Sequence, residues 1–452
     1  MKIIIAGCGK IGTSVLSNLA QEGHDVVAVD KNSDVISELT NVYDVMGVCG
    51  NAVDCDTLEE AGVSDCGMFV AMTESDELNM LSCFLAKKMG AENTIARIRN
   101  PEYNDASLNF MRQHLELSMS INPELGAAKE LYNILKFPSA LRIETFSRRN
   151  LEMIEFRLGE DSDLAGKNLI EIRKKYDAKF LICCVQRGEE VFIPNGFSTL
   201  QVGDKIGMTA SLSEMQKLMK MLKSLRKQAR NVLILGGSKT AYYLAKMFET
   251  VGSSVKIIEQ DEKRCEELTS LLPSATIIHG NGTEQELLME EGLASSDAFV
   301  ALTGIDEENI LMSIFAATQN VPTTIVKINR DELVTLAQKI GVDSVVSPKE
   351  ITSNILVQYA RALDNSSGSS VETLYKIFDG KVEALEFVVA QESKLTGMML
   401  KDMSLKPNIL IGGIMRGRKT IIPTGVDMIM PDDRVIVIST NNRLNDISDI
   451  LK

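Results

Sequence analysis

The chain has 452 residues, 44% hydrophobic and 24% charged, which excludes wholesale disorder and supplies apolar material for several cores. No window approaches the ~20 apolar residues that span a bilayer, and Met1-Lys2-Ile3-Ile4-Ile5-Ala6-Gly7 meets its glycine loop too early for a signal peptide. The net charge of -14 argues against nucleic acid, because phosphate-backbone binding needs a basic face. The expectation is a cytoplasmic protein, with any membrane role supplied through a partner.

In chain order, Ile3 to Ala6 is a short apolar run followed by Gly7-Cys8-Gly9-Lys10-Ile11-Gly12, after which Ile11, Val15, Leu16 and Leu19 recur at helical spacing. Val26 to Val29 reads as the next strand, closed by Asp30, and Val35 to Leu39 lies in the next helix. Phe69 to Met72, Leu78 to Met89 and Thr94 to Ile98 continue the alternation. Strands alternating with helices predict a parallel sheet covered on both faces, with ligands at the carboxyl ends of its strands.

The glycine loop has the right context for a dinucleotide fingerprint. Its glycines serve a tight turn, close backbone approach to a pyrophosphate, and packing of helix on strand. The helix N-terminus offers unpaired amides to phosphate. Asp30 sits where a carboxylate accepts ribose hydroxyls and would repel a 2′-phosphate, so NAD(H) or an adenine nucleotide is favoured over NADP. The alternative is a loop that has lost its ligand. Asn51-Ala52 reads as a contact to an adenine edge or as an ordinary helix cap. Thr73 and Asp76 have capping-box spacing, with aspartate in place of the usual glutamate or glutamine. Arg97 and Arg99 end the fifth strand near the mouth, as phosphate-neutralising cations or as surface charge. From Asn122 onward, Leu125, Ala128, Leu131, Tyr132 and Leu135 form an apolar stripe before Pro138, on a crossover helix at a subunit contact or on a plain core helix.

The next stretch changes character. Ile154, Phe156 and Leu158 alternate with Glu155 and Arg157, the mark of a half-buried strand. A short helix from Asn168 to Lys175 and a strand from Lys179 to Val185 follow, and Gly188, Pro194, Asn195-Gly196 and Gly203-Asp204 punctuate the rest. This predicts a small α+β module serving packing or dimerisation. The basic cluster Lys220, Lys223, Arg226, Lys227 and Arg230 reads as a solvated linker face. The eight cysteines lack Cys-x-x-Cys spacing and read as reduced core residues. His24, His114 and His279 share no ligand spacing, so no metal site is expected.

The second half copies the first. Lys2 to Gly7 corresponds to Asn231 to Gly236, 229 residues further on, and Asp30 to Glu259. Gly50-Asn51-Ala52 matches Gly280-Asn281-Gly282, Thr73 matches Thr303, and Asp76-Glu77-Leu78-Asn79 matches Asp306-Glu307-Glu308-Asn309. The small module recurs too: Arg187-Gly188 with Arg416-Gly417, and Gly203-Asp204 with Asp432-Asp433. The expected domains are residues 1–136, 140–225, 230–360 and 371–452, with a flexible joint at Asn365 to Ser370. The second fingerprint is altered to Gly236-Gly237-Ser238-Lys239-Thr240-Ala241. It reads as a second nucleotide site or as a structural copy.

Taken in sequence, the fingerprint, Gly50-Asn51-Ala52, Leu58-Glu59-Glu60-Ala61-Gly62, Thr73 to Asn79 and Ala96-Arg97-Ile98 resemble the RCK (KTN) domain of potassium channels and transporters. The small module resembles its companion RCK C-terminal subdomain. Two complete copies in one chain resemble the TrkA family. The resemblance implies an α/β fold: two Rossmann-like, doubly wound parallel-sheet domains, each followed by a small α+β subdomain. It implies a ring of eight RCK units, hence a homotetramer, beneath a Trk-type potassium translocating membrane subunit. NAD(H), or ATP or ADP, is the implied ligand. Implied contacts are Gly7, Cys8, Gly9, Lys10, Ile11, Gly12, Asp30, Asn51, Ala52, Thr73, Glu74 and Arg97, with Gly236, Gly237, Ser238, Lys239, Thr240, Glu259, Asn281 and Thr303 in the second copy. The resemblance also places Glu124 near an intersubunit ion site of some RCK proteins.

The rival readings are a nicotinamide-dependent oxidoreductase and a stand-alone nucleotide sensor. Hydride transfer needs a substrate domain with an acid or base near the cofactor. The small module has no histidine and the nucleotide domain is doubled. The expectation is a regulator and not an enzyme.

Overall fold

A computed structural model describes residues 1–103, 105–136, 142–146, 151–222, 229–250, 252–340, 342, 344–365, 371–378, 380–391, 393, 395–440, 444 and 446–452. Lys223, Arg226 and Lys227 of the basic cluster, and positions 366–370 of the expected joint, lie outside the described residues. The chain divides into two compact units, Met1–Tyr132 with Ala229–Ala360 and Asn133–Gln228 with Arg361–Lys452.

In the first copy, β1 (Lys2–Ala6), α1 (Lys10–Gln21), β2 (Asp25–Asp30), α2 (Ser33–Val42), β3 (Met46–Cys49) and α3 (Cys55–Glu60) are followed by β4 (Met68–Ala71), α4 (Asp76–Lys88), β5 (Asn93–Arg97), α5 (Asp105–His114), β6 (Met119–Ile121) and α6 (Pro123–Lys136). The six strands run parallel in the order β3-β2-β1-β4-β5-β6. Ile3, Ile4 and Ile5 are fully buried, as an uninterrupted apolar strand between two helical layers must be. Strand order reverses between β1 and β4, so the loops leaving their carboxyl ends part to form a crevice.

The small module holds β7 (Arg142–Phe146), β8 (Leu151–Arg157), α7 (Leu169–Lys175), β9 (Phe180–Arg187), β10 (Glu190–Phe192), β11 (Lys205–Ala210) and α8 (Leu212–Met221). The second copy repeats the plan. Its β12 (Asn231–Leu235), α9 (Lys239–Glu249), β13 (Ser254–Glu259), α10 (Glu262–Leu271), β14 (Thr276–His279) and α11 (Gln285–Glu290) precede β15 (Ala298–Ala301), α12 (Asp306–Thr318), β16 (Thr323–Lys327), α13 (Asp331–Lys339), β17 (Ser344–Val346) and α14 (Pro348–Asn365). The order β14-β13-β12-β15-β16-β17 reproduces the first sheet.

Within the first unit the two copies touch directly. Asn122 donates to the Tyr243 hydroxyl at 3.0 Å, and that hydroxyl donates to the Arg99 carbonyl at 3.1 Å. The Tyr132 and Phe248 rings meet edge to face at 5.2 Å. Tyr132 of the α6 stripe therefore lies at a contact between the two copies inside one chain.

The second unit pairs the two small modules. Here β18 (Val371–Ile377), β19 (Val382–Val388), β20 (Ile409–Arg416), β21 (Lys419–Ile421) and β22 (Arg434–Ser439) form an antiparallel sheet ordered β18-β19-β22-β20-β21, the counterpart of β10-β9-β11-β8-β7. A shared core joins Leu151, Met153 and Cys184 to Phe378, Met415 and Ile438, and the Thr209 hydroxyl donates across it to the Gly412 carbonyl at 2.6 Å. This corrects the half-buried reading of β8: it is buried on both faces, and Glu155 is only 7% exposed. The second copy of the module covers the face that alternation assigned to water. In each module one arginine holds a buried aspartate through two nitrogens, Arg187 on Asp204 at 2.8 and 2.7 Å and Arg416 on Asp433 at the same distances. Six cysteines are buried as expected, but Cys49 and Cys55 are exposed.

Candidate functional site

The crevice of the first copy is a cavity of about 740 Å³ at the carboxyl ends of β1, β2, β4 and β5. Gly7, Cys8, Gly9, Lys10, Ile11, Gly12, Asp30, Asn51, Ala52, Thr73, Glu74 and Arg97 all line it. Two glycines are obligatory for protein geometry. Gly7 has a φ of +94° and a Cβ there would lie 2.6 Å from the Thr73 nitrogen, and a Cβ on Gly12 would lie 2.1 Å from the Gly7 carbonyl oxygen. Gly9 is different, since a Cβ there meets nothing within 4 Å. Its missing side chain leaves room for a ligand. It is also the N-cap of α1 and supplies no side-chain cap, so the first amides of the helix stay open to an anion.

Asp30 closes the other side. One carboxylate oxygen accepts the Cys8 amide at 2.7 Å, the other the Asn32 amide at 2.9 Å, and both keep acceptor capacity toward the cavity. Burial, and then the Asp30 charge, push the Cys8 thiol up to about 12. Asn51 does not cap the helix that follows it. Asp54 does, accepting the Thr57 amide at 3.1 Å, while Asn51 accepts the Val53 amide at 3.3 Å.

The Thr73–Asp76 capping box does not form. Ser75 caps α4, accepting the Leu78 amide at 3.1 Å. Thr73 is instead tied to the fully buried Asn79, whose oxygen accepts the Thr73 amide and hydroxyl, both at 2.7 Å. Asn79 then donates to the Thr73 and Arg97 carbonyls at 3.2 and 2.9 Å. Asp76 accepts the Arg99 and Asn100 amides at 2.8 and 2.7 Å. These two side chains lock the loop after β4 to the end of β5. Local spacing suggests a different role for Asp76 and none for Asn79, though both lie in the Thr73 to Asn79 run that recurs with Asp306 and Asn309.

Arg97 is not surface charge: it is 8% exposed and lines the cavity. Its guanidinium donates to the Thr73 carbonyl, yet its Nε is buried without a hydrogen-bond partner. Burial, and then the neighbouring Arg99, lower its pKa from the ordinary arginine value. Arg99 lies 3.6 Å from Glu124, and both reach the cavity wall, as does Asn329 of the second copy. No sequence feature pointed to Asn329.

The second crevice is smaller, about 310 Å³. Gly236, Gly237, Ser238, Glu259, Asn281 and Thr303 line it, whereas Lys239 and Thr240 do not. Glu259 accepts the Gly237 amide at 2.6 Å, as Asp30 does that of Cys8. Ser238 caps α9, accepting the Ala241 amide at 3.3 Å, so one amide left open in the first copy is satisfied here. Arg264 donates to the Gly237 carbonyl at 2.6 Å; in the first copy the Thr13 hydroxyl serves the equivalent Cys8 carbonyl at 2.9 Å. Asn309 repeats the clamp on Thr303 and Lys327. Among the described residues, no group of histidine, cysteine and acidic side chains could hold a metal ion.

Comparison with known proteins matches the TrkA-N domain model to residues 3–113 and 232–348, and the TrkA-C domain model to residues 153–223 and 384–452. The Trk system potassium uptake protein TrkA homolog of Archaeoglobus fulgidus is 32% identical over 455 residues, covering 100% of both chains. The Trk system potassium uptake protein TrkA of Vibrio alginolyticus is 31% identical, covering 100% of this chain and 98% of that one. Among solved structures, the GsuK channel has a TM-score of 0.66 at 17% identity, with 97% of this chain and 76% of that chain covered. The GsuK channel bound to NAD scores 0.65 at 16% identity over the same shares. GsuK bound to ADP scores 0.52 at 14%, with 81% of this chain and 69% of that one covered. At such identities the structures speak for the fold, while the family models and full-length relatives go further: the chain belongs to the TrkA family.

Proposed function

We propose that this chain is the regulatory subunit of a Trk-type potassium uptake system, and that NAD(H), ATP or ADP in the first crevice biases the arrangement of its domains. Arg97 carries this reading. A buried guanidinium with an unpartnered Nε is costly unless an anion completes its shell, and it lines a cavity that also holds uncapped helix amides and a ribose-type carboxylate. The names of the relatives supply the potassium system, and the NAD- and ADP-bound channel of like fold supports the ligand class.

Regulation follows from where the cavity lies. Its wall includes Asn329, so a ligand held by Lys10, Arg97 and Arg99 meets both copies at once. A nucleotide shifts a conformational equilibrium only through unequal affinity for its states. Moving it from 1:99 to 99:1 takes about 5.5 kcal/mol, a load that several sites in a ring can share. The assembly we propose is a homotetramer carrying eight nucleotide-type domains, held at the inner face of the membrane by a Trk-type translocating subunit. Among the described residues no helix is long and apolar enough to cross a membrane.

Against the oxidoreductase reading stand the full-length relatives, which are named as potassium uptake proteins. Native mass spectrometry of the purified protein tests the proposal. It should show four chains retaining nucleotide, and a monomer without nucleotide would contradict it.

A further inference from the structure

The two crevices share an architecture and differ in charge. Lys10, Lys31, Arg97 and Arg99 line the first, alongside Asp30, Glu74 and Glu124. Among the described residues no lysine or arginine lines the second, whereas Glu259 and Glu308 do. Most of the exchanges weigh against phosphate, while Gly304 in place of Glu74 removes a carboxylate. Glu308 stands where Leu78 stands in the first copy, Gly304 where Glu74 stands, and Asn329 where Arg99 stands. Lys327, at the position of Arg97, turns its ammonium to the Leu302 carbonyl at 3.1 Å. Arg264 is engaged by the Gly237 carbonyl and pairs with Glu267 at 2.7 Å. Ser238 has taken up a helix amide.

What survives is the nucleoside half of the site. Glu259 occupies the ribose position with its two oxygens on the Gly237 and Asp261 amides, at 2.6 and 2.9 Å, and acceptor capacity left over. Asn281 and Thr283 offer polar groups at one wall, and Ile258 and Leu302 supply apolar surface. The volume of about 310 Å³ is at the small end of ligand pockets. We propose that the second crevice binds an uncharged nucleoside and rejects its phosphorylated forms. Selection is by repulsion: a phosphate extending past the ribose meets a capped helix end and the Glu308 carboxylate, with no cation in the lining. The chain would then read two different small molecules, a nucleotide in the first copy and a nucleoside in the second.

Calorimetric titration of the full chain with adenosine, AMP, ADP and NADH tests this, on the wild type and on Asp30→Ala, Glu259→Ala and Glu308→Leu. Adenosine binding should persist in Asp30→Ala and be lost in Glu259→Ala. With the first crevice saturated with NADH, the second should weaken at least about tenfold from adenosine to AMP. Because Glu259 also shapes its loop, Glu308→Leu is the second probe. It should leave adenosine affinity within about threefold and raise AMP affinity at least about tenfold. At NADH saturation, an AMP or ADP signal as strong as that of adenosine, or no adenosine binding at all, would overturn the proposal. Failure of the wild type to bind NADH would count against the first crevice alone, since the adenosine arm is scored separately.

Discussion

The carboxylate of Asp30 accepts the Cys8 amide at 2.7 Å, so the group we propose to hold a ribose also shapes the turn we propose to hold a phosphate. Ligand contact and loop geometry are linked through one side chain. Asp30→Ala should therefore weaken NADH binding roughly 10- to 100-fold, the cost of losing charged hydrogen bonds, while the chain stays folded. Calorimetry with NADH and a thermal melt check both halves. Unchanged affinity would remove Asp30 from the site.

Gly12 and Ala241 occupy equivalent positions with opposite tolerances. Gly12→Ala places a methyl where a Cβ would lie 2.1 Å from the Gly7 carbonyl oxygen, so the first turn must open. NADH affinity should fall at least about tenfold. Ala241→Gly should cost no more than about 1 kcal/mol of stability and leave NADH binding intact. Equal effects of the two substitutions on NADH binding would show that the turns are interchangeable.

The asparagine clamps separate stability from binding. Asn79→Ala and Asn309→Ala each strand buried groups on the loop after the fourth strand of their sheet, and each should cost about 3 kcal/mol in urea denaturation. Asn79→Ala should also impair NADH binding by freeing Thr73 and Arg97, while Asn309→Ala should not. Reversed binding effects would place the nucleotide in the second copy.

Alkaline stability follows from the buried thiols. Burial pushes Cys8 and Cys183 up to about 12 and Cys66 to about 11. In the unfolded chain these thiols ionise near 8.5, so between that pH and about 11 the folded state holds more protons. Their contribution is complete below the unfolded value and is lost as pH rises through the folded ones. Denaturation midpoints should decline steadily from pH 8.5 to pH 11. Iodoacetamide at pH 8 should modify the exposed Cys49 and Cys55 ahead of the buried six. Early modification of Cys8 would contradict its burial.

Much of the fold was legible because its signals are local. The apolar run at Ile3 to Ala6, the glycines after it and the helical spacing of Val15, Leu16 and Leu19 sit within one short stretch, and the repeat confirms the pattern by writing it twice. The errors came where distant chain segments decide. Glu155 looked exposed because alternation cannot know that a second module covers β8. Thr73 looked like a cap because of its spacing to Asp76, whereas Ser75 caps the helix and the buried Asn79 reveals what Thr73 does. Arg97 was placed correctly at the mouth, but its burial depends on the loop that Asn79 and Asp76 hold down. Asn329 and Arg264 carry no local signature, since one lines the other copy's cavity and the other reaches the Gly237 carbonyl from the helix after β13.

Rubidium flux into vesicles holding a Trk-type translocating subunit, with this chain added and NADH or ADP varied, tests the central claim most directly. The account predicts flux that depends on nucleotide with the wild-type chain, is insensitive to it with Arg97→Met, and leaves the NADH unoxidised. Flux indifferent to nucleotide, or steady consumption of NADH, would contradict it.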